Sequence, residues 1–160
     1  MVRRWAHALL SLLVTVAALG AGLATPAQAA GVMDGYDPGN LISDASFFNS
    51  GTMSDSAIRD FLASKGASCV AGPMPCLKDY RVDTPATPLT EYCAALPAVS
   101  NNSAAGIIGA VARACRINPQ VLIALLQKES GLVTASGGQL TATAYARATG
   151  AGCPDFQPCD

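Results

Sequence analysis

The sequence predicts a mainly helical protein whose N-terminal half is irregular and braced by disulfides. Three segments carry apolar residues at helical spacing, each preceded by a capping residue. No alternating strand pattern extends beyond a few residues. Six cysteines follow the first thirty residues, in a part of the chain that also contains many prolines. These observations favour a small helical domain in which disulfides and proline-fixed turns hold the remaining chain.

The first 29 residues are typical of a secretory signal peptide. Arg3 and Arg4 give a positive start, an uncharged apolar run covers residues 8–23, and residues 27–29 have the small-x-small cleavage pattern. A membrane anchor is the alternative, but glycines and a proline interrupt the apolar stretch and no basic stop-transfer cluster follows it. We therefore expect a secreted protein with no stable membrane anchor after cleavage.

Charge and histidine content exclude several classes of function. Loss of Arg3 and Arg4 with the leader leaves eight basic residues against eleven acidic ones, a net charge of −3. This charge argues against a nucleic-acid partner. The single histidine, His7, also lies in the leader. Without it the mature chain cannot form a Ser-His-Asp or Cys-His triad and lacks the usual imidazole ligand of zinc. We expect neither a metal nor a cofactor.

The cysteines predict a disulfide framework. An even number in an exported chain indicates three bonds formed in an oxidising compartment. No two cysteines have C-x-x-C spacing, which disfavours a metal site. Several pairings are possible, and we favour pairs of sequence neighbours. These are Cys69–Cys76, Cys93–Cys115 and Cys153–Cys159.

An irregular arm and a helix begin the mature chain. Residues 31–53 are rich in Gly, Asp, Asn and Ser, and we expect the aromatic residues of this arm to pack on the domain. Ser54 is then a helix N-cap, and Gly66 ends that helix. Its apolar face contains Ile58, Phe61 and Leu62. Residues 69–97 predict little regular structure beyond a turn near Glu91.

Two further helices follow. Residues 101–115 predict the second, capped by Ser103 or Asn102, in which Gly106 and Gly109 would allow close approach of a neighbour. The third begins with Asn118 as N-cap and Pro119 at the first position, and it ends at Ser130 before Gly131. Residues 133–139 then predict a flexible loop, and residues 140–149 a short helix.

Glu129 is the residue of chemical interest on the third helix. The apolar stripe of that helix consists of Val121, Leu122, Leu125 and Leu126. Glu129 falls near the centre of the stripe, where desolvation would favour its protonated form, as would the negative helix end. Such a group can act as the general acid in glycoside cleavage. The alternative is a structural carboxylate at the rim of the stripe, paired with Arg113, Arg147 or Lys128.

The segment NPQVLIALLQKESG, residues 118–131, resembles the active-site helix of the soluble lytic transglycosylases and related lysozyme-like muramidases. In that family an apolar helix ends in Glu-Ser-Gly, and the glutamate is the catalytic acid. The resemblance implies that Glu129 is the acid, that Ser130 helps to fix substrate or carboxyl geometry, and that Gly131 forms the turn. Tyr145 would line the substrate groove with Ser130.

The wider chain is similar to a group of exported actinobacterial proteins that usually continue past GCPDFQPCD into aromatic-rich helices. The family's GLMQ-type segment and the tyrosine-bearing helices after it have no match in TASGGQLTATAY. The resemblance thus implies an N-terminal part over residues 30–100 and a small lysozyme-like helical core over residues 101–160 that is incomplete.

The resemblance also implies a function. We expect a secreted or cell-wall-associated, monomeric glycosidase or lytic transglycosylase that acts on peptidoglycan glycan strands at the MurNAc–GlcNAc bond. A transglycosylase needs one carboxyl group. A second acid, which hydrolysis would use, could only be Asp155, Asp160 or Glu91. The alternative is a non-catalytic cell-wall or surface binding protein that retains the helix as core.

Overall fold

The computed structural model describes Asp37 and residues 39–150. The predicted signal peptide and the Cys153–Cys159 pair therefore lie outside the described residues. By its backbone contacts the chain divides into two units, Met1–Leu41 and Ile42–Asp160. In the first unit the described residues form one turn, in which the Asn40 amide donates to the Asp37 carbonyl at 3.0 Å.

The described part of the second unit is rich in helix and contains one small antiparallel sheet. The helices are α1 (Asp44–Phe47), α2 (Asp55–Lys65), α3 (Ala104–Cys115), α4 (Pro119–Ser130) and α5 (Ala142–Ala146). The strands are β1 (Arg81–Thr84) and β2 (Val99–Ser103), and 3-10 turns span Leu77–Asp79 and Gly137–Gln139. None of the helices in this described part is long and apolar enough to cross a bilayer.

Helix α2 begins and ends as its sequence predicts. The Ser54 hydroxyl accepts the Ala57 amide at 3.2 Å, and the Gly66 amide donates to the Leu62 carbonyl. Ile58 is 0% and Leu62 2% exposed, so they anchor the helix in the core. Phe61, predicted on the same face, lies at its border and is exposed.

The arm before α2 is attached to α4 by polar bonds, and its Phe48 does not show the packing predicted for the aromatic residues of the arm. The Asn118 amide donates to the Phe47 carbonyl at 2.8 Å, and the Asn118 side chain donates to the Ser46 carbonyl at 3.0 Å. The Phe48 ring packs edge-on against Phe47 and remains 57% exposed. Backbone carbonyls of α1 thus supply the partners of a buried asparagine.

The two-stranded sheet was not predicted. Strand β1 pairs with β2 so that Arg81 lies opposite Ser103 and Val82 opposite Asn102. Most residues of both strands are exposed, so the alternation of apolar and polar residues that marks a half-buried strand is absent. The helix predicted from residue 101 consequently starts at Ala104, after Ser103, whose hydroxyl accepts the Gly106 amide at 3.1 Å.

Both predicted disulfides within the described residues are confirmed. Cys69 is bonded to Cys76, which closes a short loop after α2. Cys93 is bonded to Cys115, which ties the β1–β2 connection to the end of α3. These bonds fit an oxidising compartment.

A single buried core joins residues from both sides of position 100. It contains Ile58, Leu62, Cys76, Leu77, Ala104, Ala105, Ile108, Ile123, Leu132, Val133, Ala135 and Leu140. Helix α3 packs against both α2 and α4. The predicted close approach occurs at Gly109, where a Cβ atom would collide with the Asp55 carboxylate. That carboxylate accepts a hydrogen bond from Arg113 at 2.6 Å.

The segment after α4 differs from the flexible loop that its composition predicts. Val133 and Ala135 are buried, and the Gly137 amide donates to the Val70 carbonyl at 2.8 Å. The Val70 amide in turn donates to the Ser136 hydroxyl at 2.9 Å. This segment is therefore packed and hydrogen-bonded against the loop closed by Cys69 and Cys76.

Candidate functional site

Helix α4 places Glu129 in its last turn. Asn118 caps the start, with its side-chain oxygen accepting the Gln120 amide at 2.9 Å, and Pro119 occupies the first turn. Gly131 adopts a left-handed conformation with φ of 67° and its amide donates to the Gln127 carbonyl. Both ends of the helix lie where the sequence predicts. Glu129 thus precedes the C-terminal cap by two residues.

The buried face of α4 is not centred on Glu129. Pro119 and Ile123 are the buried residues of the helix, whereas Leu122 and Leu126 are only partly buried against the core. At about 100° per residue, Glu129 lies roughly a quarter turn from the centre of that face. The prediction that Glu129 occupies the middle of the buried stripe was therefore wrong. The wheel could not show that the core contacts the Ile123 side.

The Glu129 carboxylate is partly covered. Lys128 Nζ lies 2.5 Å from Glu129 Oε1. The residue as a whole is exposed, but its side chain retains only 29% of its accessible surface. Lys128 is one of the three residues named above as ion-pair partners of a structural Glu129. Arg113, another of the three, binds Asp55 instead. Because the Lys128 side chain is 78% exposed, water screens this ion pair strongly.

Gly150 lies close to the Glu129 carboxylate. A Cβ atom built on Gly150 would lie 2.8 Å from Glu129 Oε2. Gly150 also has a φ of 70°, which a residue with a side chain rarely adopts. Glycine at this position therefore permits both the turn after α5 and the approach of the carboxylate to the backbone. This contact could not be predicted from the sequence, because the residue pattern of α4 carries no information about the position of residue 150.

Ser130, predicted to fix substrate or carboxyl geometry, bonds within its own helix. Its hydroxyl donates to the Leu126 carbonyl at 2.8 Å, one turn earlier. The hydroxyl is therefore engaged by the backbone of α4. Ser130 thus acts on the backbone that carries Glu129, and it makes no side-chain hydrogen bond to the Glu129 carboxylate.

Tyr145, on α5, is held by two contacts. Its ring stacks on Tyr80 with centroids 4.3 Å apart, and its hydroxyl donates to the Pro75 carbonyl at 2.6 Å. Burial raises the pKa of Tyr145 to about 12, and the neighbouring Tyr80 and Asp79 act in the same direction. The hydroxyl therefore remains a neutral donor fixed on the Cys69–Cys76 loop. Tyr80 was not singled out from the sequence, because it lies in the segment predicted to be irregular.

A small pocket joins this tyrosine pair to α4. Its cavity volume is about 120 Å³. The lining residues are Leu77, Tyr80, Ala104, Ile107, Ile108, Leu126, Leu132, Tyr145 and Ala148. Glu129 is not among them, but it follows Leu126 at i+3 and therefore neighbours it on the helix surface. Ala148 lies two residues before Gly150. The lining thus includes sequence neighbours of Glu129 and Gly150, and two tyrosines form part of its wall.

Of the three acids proposed as a second catalytic group, Glu91 is the one that the structure describes. Glu91 is exposed in the connection between β1 and β2. Asp155 and Asp160 lie outside the described residues. Asp79 acts on the pKa of Tyr145, and its carboxylate is paired with Lys78 at 2.6 Å. Among residues 37 and 39–150, no group of three or more His, Cys, Asp or Glu side chains could hold a metal ion.

Comparisons with models of protein families, with curated protein sequences and with solved structures found no match. The chemistry of the site must accordingly be argued from its own geometry.

Proposed function

We propose that this protein is a secreted, lysozyme-like enzyme that cleaves the MurNAc–GlcNAc bonds of peptidoglycan with Glu129 as its general acid and base. The observation that carries the proposal is the position of the Glu129 carboxylate. It lies at the capped end of an apolar helix, near Gly150 and one helical turn after Leu126, which lines a pocket together with Tyr80 and Tyr145. The resemblance of residues 118–131 to a transglycosylase active-site helix supports the same assignment.

One carboxyl group suffices for the reaction. Protonated Glu129 donates its proton to the glycosidic oxygen while the bond between that oxygen and C1 of the muramyl residue breaks. The resulting carboxylate then accepts the proton of the muramyl 6-hydroxyl, whose oxygen forms a bond to C1 and closes a 1,6-anhydro ring. Glu129 ends the cycle protonated, and no water is consumed. This balance fits a site in which no second carboxylate contacts Glu129 among the described residues.

The neighbouring residues support this role in different ways. The tyrosine pair offers an apolar surface for the face of a sugar ring. The Tyr145 hydroxyl is committed to the Pro75 carbonyl, so Tyr145 acts as a wall rather than as a proton donor. Ser130 holds the last turn of α4 through the Leu126 carbonyl. We infer that both position the acid and the substrate without taking part in proton transfer.

A second candidate is a secreted cell-wall or surface binding protein that catalyses nothing. The ion pair between Glu129 and Lys128 favours it, because it gives the carboxylate a partner within the protein that needs no substrate. The small volume of the pocket, about 120 Å³, also favours contact with one group of a sugar over enclosure of a disaccharide.

Product analysis separates these candidates. The disulfide-bonded protein is incubated with purified peptidoglycan, and the soluble fragments are analysed by mass spectrometry. We expect muropeptides with 1,6-anhydro ends. Reducing ends would indicate hydrolysis by water and would contradict the single-acid route. Sedimentation of the protein with peptidoglycan, without release of fragments, would support the binding protein instead.

A further inference from the structure

We propose that a second pocket, between α2 and α4, binds a medium-chain fatty acid. The cavity has a volume of about 510 Å³, within the range of sites for small molecules. Its lining residues are Met53, Phe61, Lys65, Gln120, Ile123, Ala124, Gln127, Val133 and Thr134. This proposal is independent of the one made for Glu129.

The pocket and Glu129 lie on opposite sides of α4. Gln120, Ala124 and Gln127 share one face of the helix because they recur at intervals of three and four residues. Glu129 follows Gln127 by two residues, which turns it by about 200° from that face. A ligand in the pocket would therefore not contact the Glu129 carboxylate.

The lining is apolar in its interior and carries one positive charge. Met53, Phe61, Ile123 and Val133 supply the apolar surface, and a methionine adapts well to a flexible chain. Of the described residues that line the pocket, Lys65 alone is charged. Its Nζ lies 5.6 Å from the centroid of the Phe61 ring. A cation next to apolar walls, with no lining carboxylate, is complementary to an acyl chain that ends in a carboxylate.

The polar groups of the lining do not favour a sugar or a nucleotide. The Gln127 side chain donates to the Thr134 hydroxyl at 3.0 Å, so each of these two side chains already has a hydrogen-bond partner within the protein. This bond links α4 to the segment after it. Gln120 is exposed at the rim. A ligand with many hydroxyl groups would lose more hydrogen bonds to water than this lining could replace.

Calorimetric titration with hexanoate, octanoate and decanoate below their micelle concentrations tests the proposal. Each added methylene should tighten binding by up to about fourfold, which corresponds to about 0.8 kcal/mol per buried CH₂ group. Octanol should bind more weakly than octanoate, because it lacks the charge that faces Lys65. Absence of binding, or affinity independent of chain length, would overturn the proposal.

Matched variants locate the site. Ala124→Phe fills the pocket from an exposed helix position and should reduce octanoate affinity at least tenfold, whereas Ala63→Phe, on an exposed position of α2 outside the lining, should not. Lys65→Gln should remove the preference for octanoate over octanol while the chain-length dependence persists, and Arg59→Gln is its control. Circular dichroism verifies that each variant is folded. Equal affinity for octanoate in Ala124→Phe and Ala63→Phe would contradict the assignment.

Discussion

The carboxylate of Glu129 occupies the space into which a side chain at Gly150 would extend. A Cβ atom at position 150 would come within 2.8 Å of Glu129 Oε2 and 3.3 Å of Glu129 Cδ. The contact brings together the end of α4 and the turn that follows α5. We expect this proximity to restrict the positions that the Glu129 side chain can adopt.

Gly150→Ala should therefore displace the Glu129 carboxylate. We expect peptidoglycan cleavage to fall at least tenfold, and the free energy of unfolding to fall by about 1 kcal/mol because alanine disfavours positive φ. Rates of muropeptide release and urea unfolding measure the two effects. Gly138→Ala is the control, since no atom lies within 4 Å of its Cβ position and its φ is not positive. Cleavage at the wild-type rate in Gly150→Ala would show that this contact does not position the acid.

The Tyr145 hydroxyl makes folding stability depend on pH in the alkaline range. Its pKa is raised from 10.0 to about 12 in the folded chain, so the folded state holds the proton more tightly than the unfolded state does. The stabilisation is complete below pH 10 and is lost as the pH rises through about 12. Denaturation of wild type and Tyr145→Phe across this range should give a stability difference that shrinks with rising pH. Tyr92→Phe, at a position 79% exposed, should show no such change.

The two disulfides should differ in their contributions to stability and to function. By loop closure, separations of 7 and 22 residues correspond to about 2.5 and about 3.4 kcal/mol. Replacement of Cys93 and Cys115 by alanine should therefore lower the free energy of unfolding more than replacement of Cys69 and Cys76 does. Replacement of Cys69 and Cys76 should lower cleavage more, because their loop carries the Pro75 carbonyl that holds Tyr145. Denaturant unfolding and cleavage assays on both double variants measure these losses. If one double variant showed the larger loss in both assays, the proposed difference between the two disulfides would be contradicted.

Asn118 should be among the most sensitive polar positions in the chain. It is buried, caps α4, accepts the Thr52 hydroxyl at 2.6 Å and donates to the Ser46 carbonyl. Asn118→Ala removes the cap and leaves buried partners unsatisfied, so we expect a loss of about 2–3 kcal/mol in the free energy of unfolding. Thr52→Val removes one of these bonds and should cost about 1 kcal/mol or less. Equal losses in both variants, by urea unfolding, would show that Asn118 acts through the Thr52 bond alone.

Helix ends were predictable because local chemistry determines them. Ser54, Ser103 and Asn118 each accept a backbone amide of the first turn, and Gly131 takes the left-handed conformation that ends α4. These signals lie within a few residues of each other along the chain. The two confirmed disulfides likewise join neighbouring cysteines.

Contacts between distant segments were not predictable in the same way. Strands β1 and β2 are exposed and lack alternating hydrophobicity, so they carry no pattern that could reveal their pairing. The face of α4 that is buried depends on where α3 lies, and a helical wheel contains no such information. For the same reason the sequence indicated Glu129 and Tyr145 but gave no sign of their partners Gly150 and Tyr80.

We propose that Glu129 performs the cleavage, and the other glutamate of the sequence, Glu91, provides a matched control for its replacement. Glu129 and Glu91 are the two glutamates of the sequence, and Glu91 is exposed in the connection between the strands. Initial rates of muropeptide release from purified peptidoglycan are measured for wild type, Glu129→Gln and Glu91→Gln. We expect Glu129→Gln to lower the rate by at least a hundredfold and Glu91→Gln to leave it unchanged. Release by Glu129→Gln at the wild-type rate, or no release by the wild type, would contradict this proposal.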